Sequence, residues 1–167
     1  MTGHTREFLK EFLTEHPIKG KVLEVGSRYV NGEIRDIFED EKIKYTGLDM
    51  IKGRCVDILL NAHDIKKELK KNSFDLVVCF DTLEHDDKFW ITVDNMRWVL
   101  KKGGWLVIKA PSLHCNIHEW PGDYYRFLEP AFKEVFFNGF EDVFTQTLVG
   151  SGQTDMPDSI LGYGRKP

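Results

Sequence analysis

The apolar positions change period several times along the chain. Phe8, Leu9, Phe12 and Leu13 recur at helical spacing, and Pro17 ends that segment. Val22, Leu23 and Val25 make a short apolar run, a first strand over 22–25. Ile34, Ile37 and Phe38 fit a short helix with Asn31 as its cap. Residues 44–48 (KYTGL) form a second strand ending at Asp49, 55–59 a shorter third one, and 65–71 one or two helical turns. Phe74 to Phe80 (FDLVVCF) is apolar almost throughout, as in a strand buried on both faces of a parallel sheet. Phe89, Val93, Met96 and Leu100 then step by three or four. That helix would start at Asp86 or Asp87 and stop at Lys102-Gly103-Gly104. Trp105 to Ile108 give the next strand. Pro130 opens a helix through Ala131, Val135 and Phe136 to Asn138-Gly139. Phe140–Thr147 and Ile160–Tyr163 close the chain as an antiparallel pair.

Strands alternating with helices predict an α/β fold, an open and mostly parallel sheet with helices on both faces. The 167 residues suffice for one domain and are few for two. Residues 1–17 form its N-terminal helix, 18–110 its core, and 111–167 a loop, a helix and the closing strands. In such sheets ligands bind outside the carboxyl ends of the strands. Those ends are placed at Glu24-Gly26, Asp49, Asp57, Asp81 and Lys109, and all but the last carry an acid.

Glu24 makes the first of these ends unusual. A carboxylate beside a buried strand is costly unless paired. Its partner is either local (Arg28, Lys21 or backbone N–H groups) or a cationic group of a ligand. Gly26 would let a ligand approach the backbone closely. The helix after Gly32 would point its positive end at an anion. A carboxylate next to backbone donors suits a zwitterion such as an amino acid. Asp49 follows Glu24 by about 25 residues, the usual distance of a ribose-hydroxyl acceptor, although Asp is also common in turns. Asp64 either accepts from the exocyclic amine of adenine or caps the helix starting at Ile65. Amino acid, ribose and adenine together describe S-adenosylmethionine. A dinucleotide would call for GxGxxG, and no glycine stands two residues after Gly26.

Composition narrows the partners. A net charge of −4 gives no general attraction to nucleic acid or anionic lipid. The lysine clusters at 66–71 and 101–102 read as solvated surface. Cys55, Cys79 and Cys115 form neither an even framework nor CxxC, which suits reduced thiols in a cytoplasmic protein. No apolar segment reaches signal-peptide or membrane form. His114, Cys115 and His118 spell H-C-x-x-H, but a fourth ligand is not evident, and no metal is expected.

The motifs VLEVGS, YTGLD, SFDLVVCFDTLEH and VLKKGGWLVI occur in an order that resembles the class I S-adenosylmethionine-dependent methyltransferases. HEWPGDYYRFLEPAF, residues 118–132, is similar to an H-x-x-P-x-D-Y-x-R-F segment of a small single-domain subset, many of whose members look tied to glycan or cell-envelope pathways. The resemblance implies a Rossmann-like, seven-stranded sheet with a C-terminal antiparallel strand, S-adenosylmethionine as cofactor, and a small-molecule or glycan-linked methyl acceptor. It implies that Glu24, Gly26 and Ser27 meet the methionine end of the cofactor. Asp49, with Met50 beside it, meets the ribose, Asp64 and Ile65 the adenine, and Asp81 lines the pocket near the sulfonium. His85 and then His118 are the candidate catalytic bases, with His114 third. Asp123, Tyr124, Tyr125 and Arg126 form either a substrate wall or a structural unit in which Tyr124 and Phe127 pack inward and Arg126 pairs with Asp123. Trp120 is placed to cover the pocket. A monomer or homodimer is expected. The competing reading is a cofactor-binding scaffold that has lost catalysis; the ligand acids together with an open acceptor pocket would favour the enzyme, and a blocked pocket with an exposed apolar patch the scaffold.

Overall fold

The computed structural model of the protein describes residues 3–30, 32–118, 122–149 and 157–167. Asn31 and Trp120, a proposed cap and a proposed cover, lie outside these residues. Seven strands form one sheet: β1 (Gly20–Val25), β2 (Ile43–Asp49), β3 (Ile58–Leu59), β4 (Phe74–Phe80), β5 (Leu100–Pro111), β6 (Glu141–Val149) and β7 (Pro157–Arg165). Their spatial order is β3-β2-β1-β4-β5-β7-β6. β1 to β5 run parallel, and β7 is antiparallel to both of its neighbours.

β4 shows why the apolar run reads as it does. Its side chains alternate between two cores, one on each face of the sheet. Leu76, Val78 and Phe80 join Val22, Val107 and Leu161 on one face. Val77 and Cys79 join Leu23, Val25, Leu106 and Ile108 on the other. The first core is closed by α1 (Gly3–Glu15), which buries Phe8, Leu9 and Phe12, and by Ile34 and Phe38. The second is closed by α2 (Ile65–Glu68), α3 (Phe89–Val99) and α4 (Glu129–Ala131), the last running into a π-helical turn, Phe132–Phe136. No helix among the described residues is long and apolar enough to cross a membrane.

Three local expectations are corrected. The segment after Gly32 holds only a four-residue 3-10 turn, Arg35–Phe38. It buries two apolar residues, Ile34 and Phe38, and Glu39, Asp40 and Glu41 follow, where negative charge opposes a continuing helix dipole. So short a turn supplies no helix terminus for an anion. α3 ends at Val99, before the glycines, because Leu100 is already paired with Phe74, and a register shift between Phe74 and Leu76 absorbs the extra residues. Val135 points outward, since the π winding, with Phe137 N donating to Phe132 O at 2.8 Å, turns Phe136 and Phe137 into the core instead.

Candidate functional site

The chain leaves β1 towards β2 and β3, then returns to β4 on the other side of β1. The crevice at that reversal, outside the carboxyl ends of β1 and β4, holds a cavity of about 1070 Å³. Gly26 shapes its floor. Its φ of +80° favours glycine, and a Cβ there would stand 2.0 Å from Thr82 Oγ1. That hydroxyl is not free to retreat, because it donates to Phe80 O at 2.9 Å. Gly26→Ala is therefore expected to lose ~1–3 kcal/mol of stability in denaturant unfolding.

Glu24 lines the cavity and is 4% exposed. Burial pushes its carboxyl up to about 7, against the hydrogen bond from the Tyr45 hydroxyl and the charge of Arg35. In the register of β1 and β2, Val22 stands beside Tyr45 and Glu24 beside Gly47, so the tyrosine reaches the carboxylate along one face. Asp49 ends β2 at the cavity wall. Its Oδ2 accepts from Arg28 N at 3.1 Å and its Oδ1 from Ile51 N at 2.8 Å. Each oxygen keeps a further acceptor position. Gly26, Ser27, Met50 and Asp81 border the same cavity.

The other acids behave differently. Asp57 precedes β3 instead of ending it, bonds Arg35 at 2.7 Å and Gly47 N at 2.8 Å, and does not border the cavity. Asp64 turns to Lys67 at 2.6 Å, and Ile65 is wholly buried in the core. Neither borders the cavity, because the 3-10 turn Ala62–Asp64 rotates them away. Leu60, Asn61, Ala62 and His63 do border it. This loop is fixed by Asn95 Nδ2 donating to Ala62 O at 2.7 Å, and by His63 Nε2 lying 2.7 Å from Asp86 Oδ1.

Beyond β4 the cavity continues past Glu84, His85, His118 and Tyr124. The sequence reading passed over Glu84, yet it is the most buried acid here, 1% exposed. Burial first, then the charge of Asp81, pushes its carboxyl up to about 8. Its Oε1 lies 3.7 Å from Nε2 of His85 and 3.7 Å from Nε2 of His118. Asp123 and Arg126 are a structural clamp. Arg126 bonds both carboxylate oxygens of Asp123 and also donates to Cys115 O and Asn116 O, while Asp123 accepts from His118 N at 2.9 Å. The clamp holds His118 over Glu84. Phe127 packs inward as expected, whereas Tyr124 is 58% exposed, at the cavity's edge. Buried Lys109 is neutralised by Asp81, at 2.6 and 2.8 Å.

The donor set fits an amino-acid nucleoside. A buried carboxylate suits an ammonium group, the carboxylate of Asp49 suits a diol, and Leu60, Asn61 and Ala62 offer an apolar wall with one amide for a heteroaromatic ring. Small-molecule sites run to roughly 300–1,000 Å³, so the cavity can hold that ligand beside a modest second one.

Residues 1–140 match a family described as a methyltransferase domain. No curated protein matches the sequence. Among solved structures, the chain is similar to a SAM-dependent methyltransferase from Archaeoglobus fulgidus, with 17% identity, a TM-score of 0.73, and 96% of this chain and 94% of that one covered. It is also similar to the phosphoethanolamine N-methyltransferase 2 of Haemonchus contortus in complex with phosphomonomethylethanolamine and S-adenosylhomocysteine. There the identity is 16% and the TM-score 0.74, and 99% of this chain covers 53% of that one, about half its length. A third is the 1,6-didemethyltoxoflavin-N1-methyltransferase of Burkholderia thailandensis, with 17% identity, a TM-score of 0.70, and 96% and 77% covered.

Proposed function

The chain belongs to the methyltransferase-domain family as a class I S-adenosylmethionine-dependent enzyme, and we propose that its acceptor is a small molecule, or the end of a glycan-linked one, seated against Glu84, His85 and His118. The observation that carries this reading is the continuity of one cavity from the acids of the cofactor end to a second polar cluster. Open space of that kind favours the enzyme over an inactive scaffold. The acceptors named with the Haemonchus and Burkholderia proteins are small molecules, which supports the same class here. Tyr124, exposed at the edge, gives a larger acceptor a surface to lie on outside.

The cofactor, when bound, supplies a methyl group already activated on a sulfonium. The chain's own residues then bind, orient and exclude water. Glu24 would hold the amino group, with Gly26 and Ser27 beside it, and Asp49 the ribose hydroxyls, with Met50 at the rim. Leu60 to His63, and not Asp64 and Ile65, would meet the adenine. Asp81 would face the sulfonium. His85 and His118 turn Nε2 towards the acceptor end and would take its proton.

Incubation with methyl-labelled S-adenosylmethionine and a panel of small amines, hydroxyl compounds and sugar-linked acceptors tests the proposal. Label is expected in one acceptor class, falling sharply in His85→Ala and His118→Ala while calorimetric binding of S-adenosylhomocysteine stays near the parent value. Transfer unchanged in both variants would remove the two histidines from the acceptor site.

A further inference from the structure

Hydrogen bonding fixes the tautomers of His85 and His118. Nδ1 of His85 contacts Gly122 O, and Nδ1 of His118 lies 3.0 Å from Asn116 O. A carbonyl oxygen only accepts, so each Nδ1 carries the hydrogen. In the neutral rings, Nε2 of both residues is then a bare lone pair. Both lone pairs approach the same oxygen, Glu84 Oε1, at 3.7 Å. The two rings meet edge to face, with centroids 4.9 Å apart at 82°. The second oxygen, Glu84 Oε2, is buried with no hydrogen-bond partner. Among the described residues, Glu84, His85 and His118 each bring one potential ligand atom to a common point, all within 4.8 Å of one another. Lys109 and Arg126 are paired elsewhere, with Asp81 and Asp123.

The separations decide what belongs between them. At 3.7 Å they are too long for a shared proton, since hydrogen bonds between such atoms close at about 2.7–3.2 Å. Two ligands on one tetrahedral metal, each bonded at about 2.0–2.1 Å, stand roughly 3.3–3.5 Å apart. A movement of a few tenths of an ångström by the loop-borne His118, 44% exposed at its side chain, would close the difference. The Nδ1–carbonyl bonds are also the outer support that metal-bound histidines carry.

We propose that Glu84, His85 and His118 form a three-ligand site for a divalent transition-metal ion, zinc-like in its donor set, at the acceptor end of the cavity. H-C-x-x-H, the sequence's own metal candidate, contributes only His118. Among the described residues, neither His114 nor Cys115 belongs to a cluster of potential ligands. Three protein ligands leave coordination positions open towards the cavity, as in catalytic and not structural sites. With both Nε2 lone pairs on the ion, the two histidines could not also serve as bases; a hydroxyl acceptor bound there would instead be made more acidic by the ion than it is in water. This use of the ion rests on the methyl-transfer reading, whereas the ion's binding does not.

The test is titration of chelator-stripped protein with cobalt(II), followed by its visible absorption, and with zinc(II) in competition with a chromophoric chelator. One equivalent is expected to bind. His85→Ala, His118→Ala and Glu84→Gln should each weaken binding by at least about tenfold, and His114→Ala and Cys115→Ser should leave it unchanged. Circular dichroism and S-adenosylhomocysteine binding on the same preparations separate misfolding from loss of a ligand. No stoichiometric uptake by the folded parent, or uptake unaffected by His118→Ala, overturns the metal site. If cofactor binding persists in that protein, the methyltransferase reading stands without it.

Discussion

Replacing Asp49 by alanine is expected to weaken S-adenosylmethionine binding by roughly a hundredfold to ten-thousandfold. The carboxylate is proposed to accept from two ribose hydroxyls, and hydrogen bonds to a charged group are each worth about 1.5–3 kcal/mol. Its orientation is already fixed before any ligand arrives, by Arg28 N on one oxygen and Ile51 N on the other. Little ordering is left to occur on binding, so most of the gross interaction survives as affinity. The Arg28 bond ties the loop after β1 to the end of β2 and the Ile51 bond fixes the turn that follows β2, so the variant should also lose stability, by about 1 kcal/mol for each bond. Asp49→Asn keeps one oxygen acceptor and should fall between parent and alanine. Calorimetric titration with S-adenosylhomocysteine reads the affinity, and denaturant unfolding reads the stability. An alanine variant that binds as tightly as the parent would remove Asp49 from the cofactor site.

Period-2 and helical patterns carried the architecture because burial imposes them residue by residue. FDLVVCF is apolar at both parities since helices cover both faces of β4, and its ends match the strand. In the closing pair the same holds of β7, which is largely buried, and not of β6, which lies mostly exposed at the sheet's edge. Glu24 and Asp49 stand at strand ends that border the cavity, where the order of strands and helices put them. Asp64 carried two readings because an adenine acceptor and a helix-start acid leave the same mark; here its side chain bonds Lys67 and makes no cap bond. Asn61 and Ala62 carry no such mark, and their place depends on Asn95 of α3 reaching back to Ala62. Tyr45 pairs with Glu24 only through the register of two strands, which one sequence does not state. Glu84 stood in plain view between Leu83 and His85. Its burial goes with a contact from far along the chain, Tyr124 N donating to Glu84 O at 2.8 Å, and no local periodicity encodes that contact.

Glu24 should make the protein's stability depend on pH in the direction opposite to most carboxylates. Burial raises its carboxyl from the reference 4.5 to about 7, outweighing the Tyr45 hydroxyl and Arg35, with the charges of Asp49 and Glu33 adding to the rise. Between those two values the native state holds a proton that the unfolded chain has released. Stability contributed by this group is therefore complete below about pH 4.5, falls as pH rises through 7, and is flat above. About 2.5 units at 1.36 kcal/mol each make the loss roughly 3 kcal/mol. Glu24→Gln cannot ionise and still offers Tyr45 an oxygen. It should match the parent near pH 5 and exceed it by about 3 kcal/mol near pH 8, as read by denaturant unfolding without ligand. The cofactor's ammonium favours the ionised carboxylate, so its binding to the parent near pH 6.5 should release a proton. The measured binding enthalpy would then vary with the ionisation enthalpy of the buffer. Glu24→Gln should lose both the proton release and most of the affinity. Equal pH slopes in parent and variant would mean that Glu24 is already ionised in the native state, leaving the buried carboxylate as a standing charge and not one completed by the ligand.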